Sequence, residues 1–256
     1  MPREFTCNIC GTVNPITAAK WTREELHCSG CVSTARNRGT IFALQKLLTD
    51  GASLTKPMRW VRGIGCSDAP PCARLLDYFF TYQNTYLHRP PQLDLMNIDK
   101  LSFAPFDFVL CSDVLEHVPP PVDKAMRNLR RLVKPGGALI LTVPYLEGDE
   151  TYEHYPSLHE WELRAFSRNR AVLLNAPENG DPIEIYRDPF FHGGEGTTLE
   201  MRIFGETDLI ARLHAAGFHS VEILEFSESV GYLWDFPTER PAYRGRPDKG
   251  MVMVCR

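Results

Sequence analysis

Four cysteines stand as two Cys-x-x-Cys pairs near the start of the chain: Cys7 with Cys10, and Cys28 with Cys31. Thiolates two residues apart on a tight turn can point at one cation, and two such turns complete a tetrahedral S4 set. Gly11 follows the first pair and Gly30 lies inside the second. Glycine suits turns that bring backbone amides close to sulfur. The spacing therefore predicts a zinc ribbon over residues 1–35. With four protein ligands such a site is closed, so its metal would hold the fold and carry no reaction. Disulfides and a redox pair are the rival readings. The absence of a long apolar stretch at the start gives no secretory signal and disfavours disulfides. Redox pairs usually come singly beside a βαβ unit. Cys66, Cys72, Cys111 and Cys255 are scattered and read as small core hydrophobes.

A second group of candidate residues follows short apolar runs. Gly63-Ile64-Gly65-Cys66-Ser67-Asp68 would let backbone approach a ligand closely, although a lone Gly-x-Gly is equally an ordinary turn. Histidine is the usual general base near neutral pH. His117, His154, His159 and His192 fall where loops could cover a site. Of these, His117, His154 and His192 are the candidate catalytic bases, with a packing role for His117 as the rival. His192-Gly193-Gly194-Glu195-Gly196 reads as a lid or substrate clamp, or as an exposed turn. These histidines lack the tight spacing of a metal-ligand set.

The elements that must position these residues can be read from hydrophobic period. Ile41, Leu44, Leu47 and Leu48 have helical spacing, predicting a connecting helix within 36–56. Beyond it, strands and helices alternate. Strands are predicted at Trp60–Gly65, Thr81–Leu87, Phe106–Cys111, Ala138–Val143, Ser220–Phe226 and Met251–Cys255. Helices are predicted at Pro70–Phe80, Val122–Val133 and Glu206–Ala216. Such alternation points to an α/β fold with a doubly wound, mostly parallel sheet. Ligands in such sheets bind outside the carboxyl ends of the strands. The stretches 145–198 and 231–249 break the alternation and read as substrate-side insertions.

The 256 residues carry a net charge of -4, with 43% hydrophobic and 23% charged residues. These figures fit a globular domain with a small appendage and exclude collagen-like and disordered chains. No apolar run reaches the roughly 18 residues of a membrane span, so a cytoplasmic location is expected. Mild acidity argues against a nucleic-acid binder.

The blocks after the predicted strands are more specific in combination. Phe106-Asp107-Phe108-Val109-Leu110-Cys111-Ser112-Asp113-Val114-Leu115-Glu116-His117-Val118 and Leu132-Val133-Lys134-Pro135-Gly136-Gly137-Ala138-Leu139-Ile140-Leu141 resemble the fourth strand and the turn into the fifth strand of class I S-adenosylmethionine-dependent methyltransferases, type 11 group. The resemblance spans about residues 58–145. Leu199-Glu200-Met201-Arg202 and Phe191-His192-Gly193-Gly194 look like blocks of a ribbon-bearing subset of these enzymes. The family implies a Rossmann-like, seven-stranded sheet over 57–256. It also implies that Gly63, Gly65, Ser67 and Asp68 pass under the cofactor's methionine and ribose. Asn84 would stand at the ribose hydroxyls, Asp94 and Leu95 at the adenine, and Ser112 and Asp113 beside the cofactor. Two positions depart from the family pattern: Val61 replaces an acidic residue and Ser67 replaces a third glycine.

The expected activity is methyl transfer from S-adenosylmethionine to a small hydroxylated molecule or a sugar or glycan unit. Tyr152, Tyr155, Trp161, Tyr186, Tyr232 and Trp234 could stack on sugar rings, or could be core. The alternatives are an RNA methyltransferase with the ribbon as reader, and a non-catalytic cofactor-binding scaffold. In the RNA reading, Arg36, Arg38, Arg127, Arg130 and Arg131 would meet phosphates; those on the helix are as simply its solvated face.

Overall fold

Residues along Phe106–Ser112 are apolar on both sides, and the structure buries both. It is a computed structural model describing residues 3–16, 22–98, 104–167, 170–191, 198–234, 238–239 and 247–256. The main sheet holds strands β1 (Arg62–Cys66), β2 (Thr81–Thr85), β3 (Phe106–Ser112), β4 (Val133–Thr142), β5 (Val221–Ile223) and β6 (Met253–Cys255). Their spatial order is β5-β6-β4-β3-β1-β2. The run β4-β3-β1-β2 is parallel, and β6 is antiparallel to both β4 and β5.

Helices α1 (Ala35–Thr49), α2 (Pro70–Phe79), α3 (Val122–Leu132) and α4 (Glu206–Ala215) cover the two faces. Because strand side chains alternate, Val109 and Cys111 of β3 pack with Met126 and Leu129 of α3 and Leu209 and Leu213 of α4. Phe108 and Leu110 point the other way, to Ile41 and Leu44 of α1 and Leu76 of α2. Phe5, Cys7 and Cys28 belong to this second cluster, so the N-terminal segment shares a core with the sheet. α1 is capped by Thr34, whose hydroxyl accepts from the Asn37 amide. Gly217 follows the end of α4 at φ +103°, a backbone that favours glycine.

The sheet has six strands among the described residues, one fewer than the family pattern implies. After β2 the chain meets Pro90 and Pro91, which lack the N–H that a ladder needs. Only the bridge Tyr86–Gln92 forms there. Leu93, Leu95 and Ile98 enter the core from this turn instead. Helix α1 ends at Thr49, so the later part of 36–56 lies outside any helix. β4 begins earlier than expected, at Val133, and absorbs Pro135-Gly136-Gly137 through a register shift opposite Phe106 and Phe108.

The insertion after β4 is also more regular than its sequence indicated. Glu160–Ser167, Arg170–Ala176 and Glu184–Arg187 form an antiparallel sheet. The chain then returns through Arg202–Gly205, which pairs with Tyr145–Leu146 and Tyr152–Glu153. Tyr155, Tyr232 and Trp234 are buried and serve as core. Of the six aromatics considered as sugar platforms, Trp161 is exposed and Tyr152 and Tyr186 are half-buried.

Gly63 is required by this packing. A Cβ there would lie 2.1 Å from the Phe108 ring, and overpacking a filled core costs about 1–3 kcal/mol. Gly63→Ala is expected to lower stability by about that amount; an unchanged denaturant midpoint would show that the ring can move.

Candidate functional site

The parallel strands deliver their ends to one edge of the sheet, where two adjoining clefts open. The smaller, about 110 Å³, is lined by Tyr86, Leu93, Asp94, Leu95, Met96 and Val114, among others. The larger, about 400 Å³, is lined by Glu24, Arg36, Thr40, Asp68, Ser112 and Asp113, among others. Ser67 and His117 line both. One lobe is thus mainly apolar with a carboxylate in its wall, and the other is strongly charged.

Two loop residues take left-handed backbone at these strand tips. Ser67 has φ +62° after β1, and Asp113 has φ +53° after β3. Such conformations are uncommon for residues with a Cβ and gather at functional loops. The Ser67 amide donates to the Thr85 carbonyl at 2.7 Å, tying the tips of β1 and β2 together.

Charge in the larger lobe centres on Asp113. Its Oδ1 accepts from the Thr142 hydroxyl at 3.0 Å. Its Oδ2 meets Arg23 and lies 3.2 Å from Arg36 Nε. Arg23 also donates to the Gly250 carbonyl at 3.0 Å. Arg36 donates from Nη1 to Ser112 Oγ at 2.6 Å, from Nε to Glu24 Oε1 at 2.5 Å and from Nη2 to Glu24 Oε2 at 2.9 Å. Burial opposes a charge on Arg36, but the carboxylates of Asp113, Glu24 and Glu116 together outweigh it and raise the guanidinium's pKa.

His117 sits where the lobes meet. Its Nδ1 lies 2.7 Å from the Leu199 carbonyl, which can only accept, so in the neutral ring the lone pair is on Nε2. That nitrogen lies 3.7 Å from Glu116 Oε1. The turn carrying His117 is held from behind by Arg202, which donates from Nη1 to the carbonyls of Leu115 and Val118 at 2.7 and 2.6 Å. Arg202 also donates from Nε to Glu153 Oε1 at 2.8 Å.

A family model described as a methyltransferase domain matches residues 57–223. The chain belongs to that family. The resemblance to S-adenosylmethionine-dependent methyltransferases read in its sequence therefore stands. No curated protein matches the chain. Among solved structures it is similar to an S-adenosylmethionine-dependent methyltransferase from Clostridium acetobutylicum ATCC 824, at 12% identity and TM-score 0.45 over 86% of this chain and 90% of that one. It is also similar to the sugar N-methyltransferase KedS8 from Streptoalloteichus sp ATCC 53650, at 15% identity and TM-score 0.45 over 87% of each. A third is CalS10, an amino pentose methyltransferase from Micromonospora echinaspora, at 15% identity and TM-score 0.44 over 88% of this chain and 92% of that one.

Within this methyltransferase the residues expected to hold the cofactor divide. Ser67, Asp68, Asp94, Leu95, Ser112 and Asp113 all line the clefts. Gly63 and Gly65 line neither lobe among the described residues. A Cβ on Gly65 would fall 1.7 Å from Asp68 Oδ2 and 1.9 Å from the Tyr82 hydroxyl. Both glycines thus make room for internal neighbours. Asn84 turns inward too: its Oδ1 accepts from the Asp68 amide at 2.9 Å, and its Nδ2 donates to the Asp68 carbonyl at 3.1 Å and to Tyr86 Oη at 3.2 Å. It fastens the loop where a ribose contact was expected.

The histidines divide as well. His154 is buried, lies 3.1 Å from Glu200 Oε1 and stacks on Phe190 at 4.2 Å. It lines none of the described clefts, so its geometry is that of a packing residue. His192, and with it the proposed clamp loop to Gly196, lies outside the described residues. Arg38, once a candidate phosphate contact, is fully buried and donates to the carbonyls of Leu26, Ser33 and Gly231. Arg130 packs its guanidinium over the Phe218 ring. Arg23, Glu24 and Arg202 were not anticipated in the site. Leu199-Glu200-Met201-Arg202 was a visible block, but its partners are distant in sequence.

The four N-terminal cysteines come together as their spacing requires. Their Sγ atoms all lie within 4.8 Å of one another. Cys7 and Cys31 are 3.7 Å apart, and Cys10 and Cys28 are 3.5 Å apart. Tetrahedral sulfurs at ~2.3 Å from a zinc are about 3.8 Å from each other, so the set suits one such ion. All four are free of disulfides.

Asp68 is buried beneath this edge, with the Tyr82 hydroxyl bonded to its Oδ2. Burial pushes its carboxyl up to about 6, against the opposing hydrogen bond. A carboxyl whose folded pKa is raised binds its proton more tightly in the native state. Its contribution is complete below the ordinary carboxylate range and is lost as pH rises through about 6. Asp68→Asn should flatten the fall in apoprotein melting temperature between about pH 4 and 6. Parallel pH profiles for both proteins would refute the assignment.

Proposed function

We propose that this methyltransferase moves the methyl group of S-adenosylmethionine to a hydroxyl of a small molecule or sugar unit, with His117 as the base. The observation that carries the reading is the position of His117 between a mainly apolar lobe and a charged lobe. The lining of the smaller lobe suits a nucleobase: Leu93, Leu95 and Val118 supply apolar walls. Asp94 supplies a carboxylate anchored by the Met96 amide at 2.8 Å and Asn97 Nδ2 at 2.6 Å. The larger lobe supplies ion partners for an amino-acid tail. When bound, the donor offers a methyl group on a sulfonium centre. Ser67 lines both lobes and Ser112 and Asp113 line the larger one, and His117 Nε2 would take the proton of the acceptor hydroxyl during the transfer. Positioning of the two reactants supplies most of the acceleration, with the base adding to it.

The Cys7, Cys10, Cys28 and Cys31 set would hold one structural zinc. Its role is to fold the segment that carries Arg23 and Glu24 to the cleft. Two arginines of the RNA reading are not free to meet phosphate: Arg38 is buried and Arg36 is engaged inside the cleft. No helix among the described residues is long and apolar enough to cross a membrane.

Three measurements test the proposal. Calorimetric titration with S-adenosylhomocysteine should show binding, and Asp94→Ala should weaken it by about 1–3 kcal/mol; equal affinity removes Asp94 from the site. His117→Ala should lower turnover on an active hydroxylated acceptor far more than donor affinity, and undiminished turnover would exclude it as the base. Cys28→Ser should release the metal, seen by elemental analysis, and lower the melting temperature; one zinc retained per chain would sink the ribbon assignment.

A further inference from the structure

The contact between Glu24 and Arg36 has a form that the fold alone does not explain. Both carboxylate oxygens engage the guanidinium, at 2.5 and 2.9 Å. This is the fork geometry with which arginine binds a carboxylate ligand. The two partners are unequally held. The Glu24 side chain is 45% exposed at the rim of the larger lobe, while Arg36 is 17% exposed. Arg36 is further fixed by Ser112 Oγ at 2.6 Å and by Asp113 at 3.2 Å. Glu24 also lies 3.5 Å from Arg23 Nε, but its exposed side can turn into water, where a carboxylate is well solvated, while the guanidinium stays in place. Arg36 keeps Asp113 and Ser112 as partners when Glu24 leaves, so the exchange strands no unpaired charge.

Resting on the methyltransferase reading, we infer that Arg36 is the seat of the donor's α-carboxylate and that Glu24 is a resident surrogate which the donor displaces. The nucleoside would occupy the smaller lobe, and its tail would run past Ser67 into the larger one, toward Arg36. The fork then passes from an internal carboxylate to that of the ligand. Glu24 belongs to the segment between the two cysteine pairs, and its neighbour Arg23 is pinned to Asp113 and to the Gly250 carbonyl. The ribbon thus presents the surrogate, and donor affinity is set partly by the N-terminal segment. Any ligand without a carboxylate would leave the Glu24–Arg36 pair intact.

Two ligands separate these effects: S-adenosylhomocysteine, which carries the amino-acid tail, and 5′-methylthioadenosine, which lacks it. Titration calorimetry on the metal-loaded full chain gives both affinities. Glu24→Gln keeps the side-chain shape and removes the competing charge. It should tighten S-adenosylhomocysteine binding by about three- to tenfold and leave methylthioadenosine unchanged. Arg36→Lys keeps the charge and removes the fork. It should weaken S-adenosylhomocysteine by about tenfold or more, and retained methylthioadenosine binding shows that the site is still folded. If both ligands shift together in either variant, or if neither shifts, the exchange is overturned. If the unmodified chain binds neither ligand, the methyltransferase reading itself fails.

Discussion

The carboxylate of Asp113 gathers three distant parts of the chain at one strand tip. Thr142 reaches it from the neighbouring strand, Arg23 from between the cysteine pairs, and Arg36 from the connecting helix. Removing one partner from such a buried cluster leaves an uncompensated charge, which typically costs 3–5 kcal/mol. The cluster therefore couples the geometry of the N-terminal segment to that of the cleft at the strand ends. Asp113 itself sits in left-handed backbone, a conformation retained because these partners over-determine it.

The rest of the site is arranged around that fixed point. Parallel strands bring Ser67, Thr85 and Ser112 to one edge, and the returning chain closes the site from behind. Arg202, wholly buried, uses its Nη1 on two carbonyls of the turn that bears His117. The Met201 amide donates to the Glu116 carbonyl of the same turn at 2.7 Å. The histidine is thus oriented by backbone acceptors and donors from a segment more than eighty residues away.

Much of the fold was legible because the relevant signals are local. The double-sided apolar run of β3, the helical spacing in α1 and the glycine after α4 each report a period or a backbone need that neighbouring residues express. That the main sheet holds six strands among the described residues, and that 145–198 contains an ordered sheet, were not legible. The first depends on where Leu93 and Leu95 are drawn by the core, and the second on cross-strand pairing between segments with mixed patterns. Gly63 and Gly65 illustrate a different gap. Their spacing marks a close approach of backbone, but it does not say whether the approaching group is a ligand or an internal side chain.

What the sequence determined by itself was the chemistry of repeating spacings: four thiols in two pairs, a parallel sheet, and the strand-end blocks that mark a methyltransferase. Those features are set by residues close together along the chain. Only the tertiary structure decided that Arg38 is buried packing while Arg36 faces the cleft, that His117 and not His154 lines it, and that Glu24 holds the guanidinium fork. The reason is physical: burial and charge pairing depend on which remote segment arrives at a side chain, and a local pattern carries no information about that arrival.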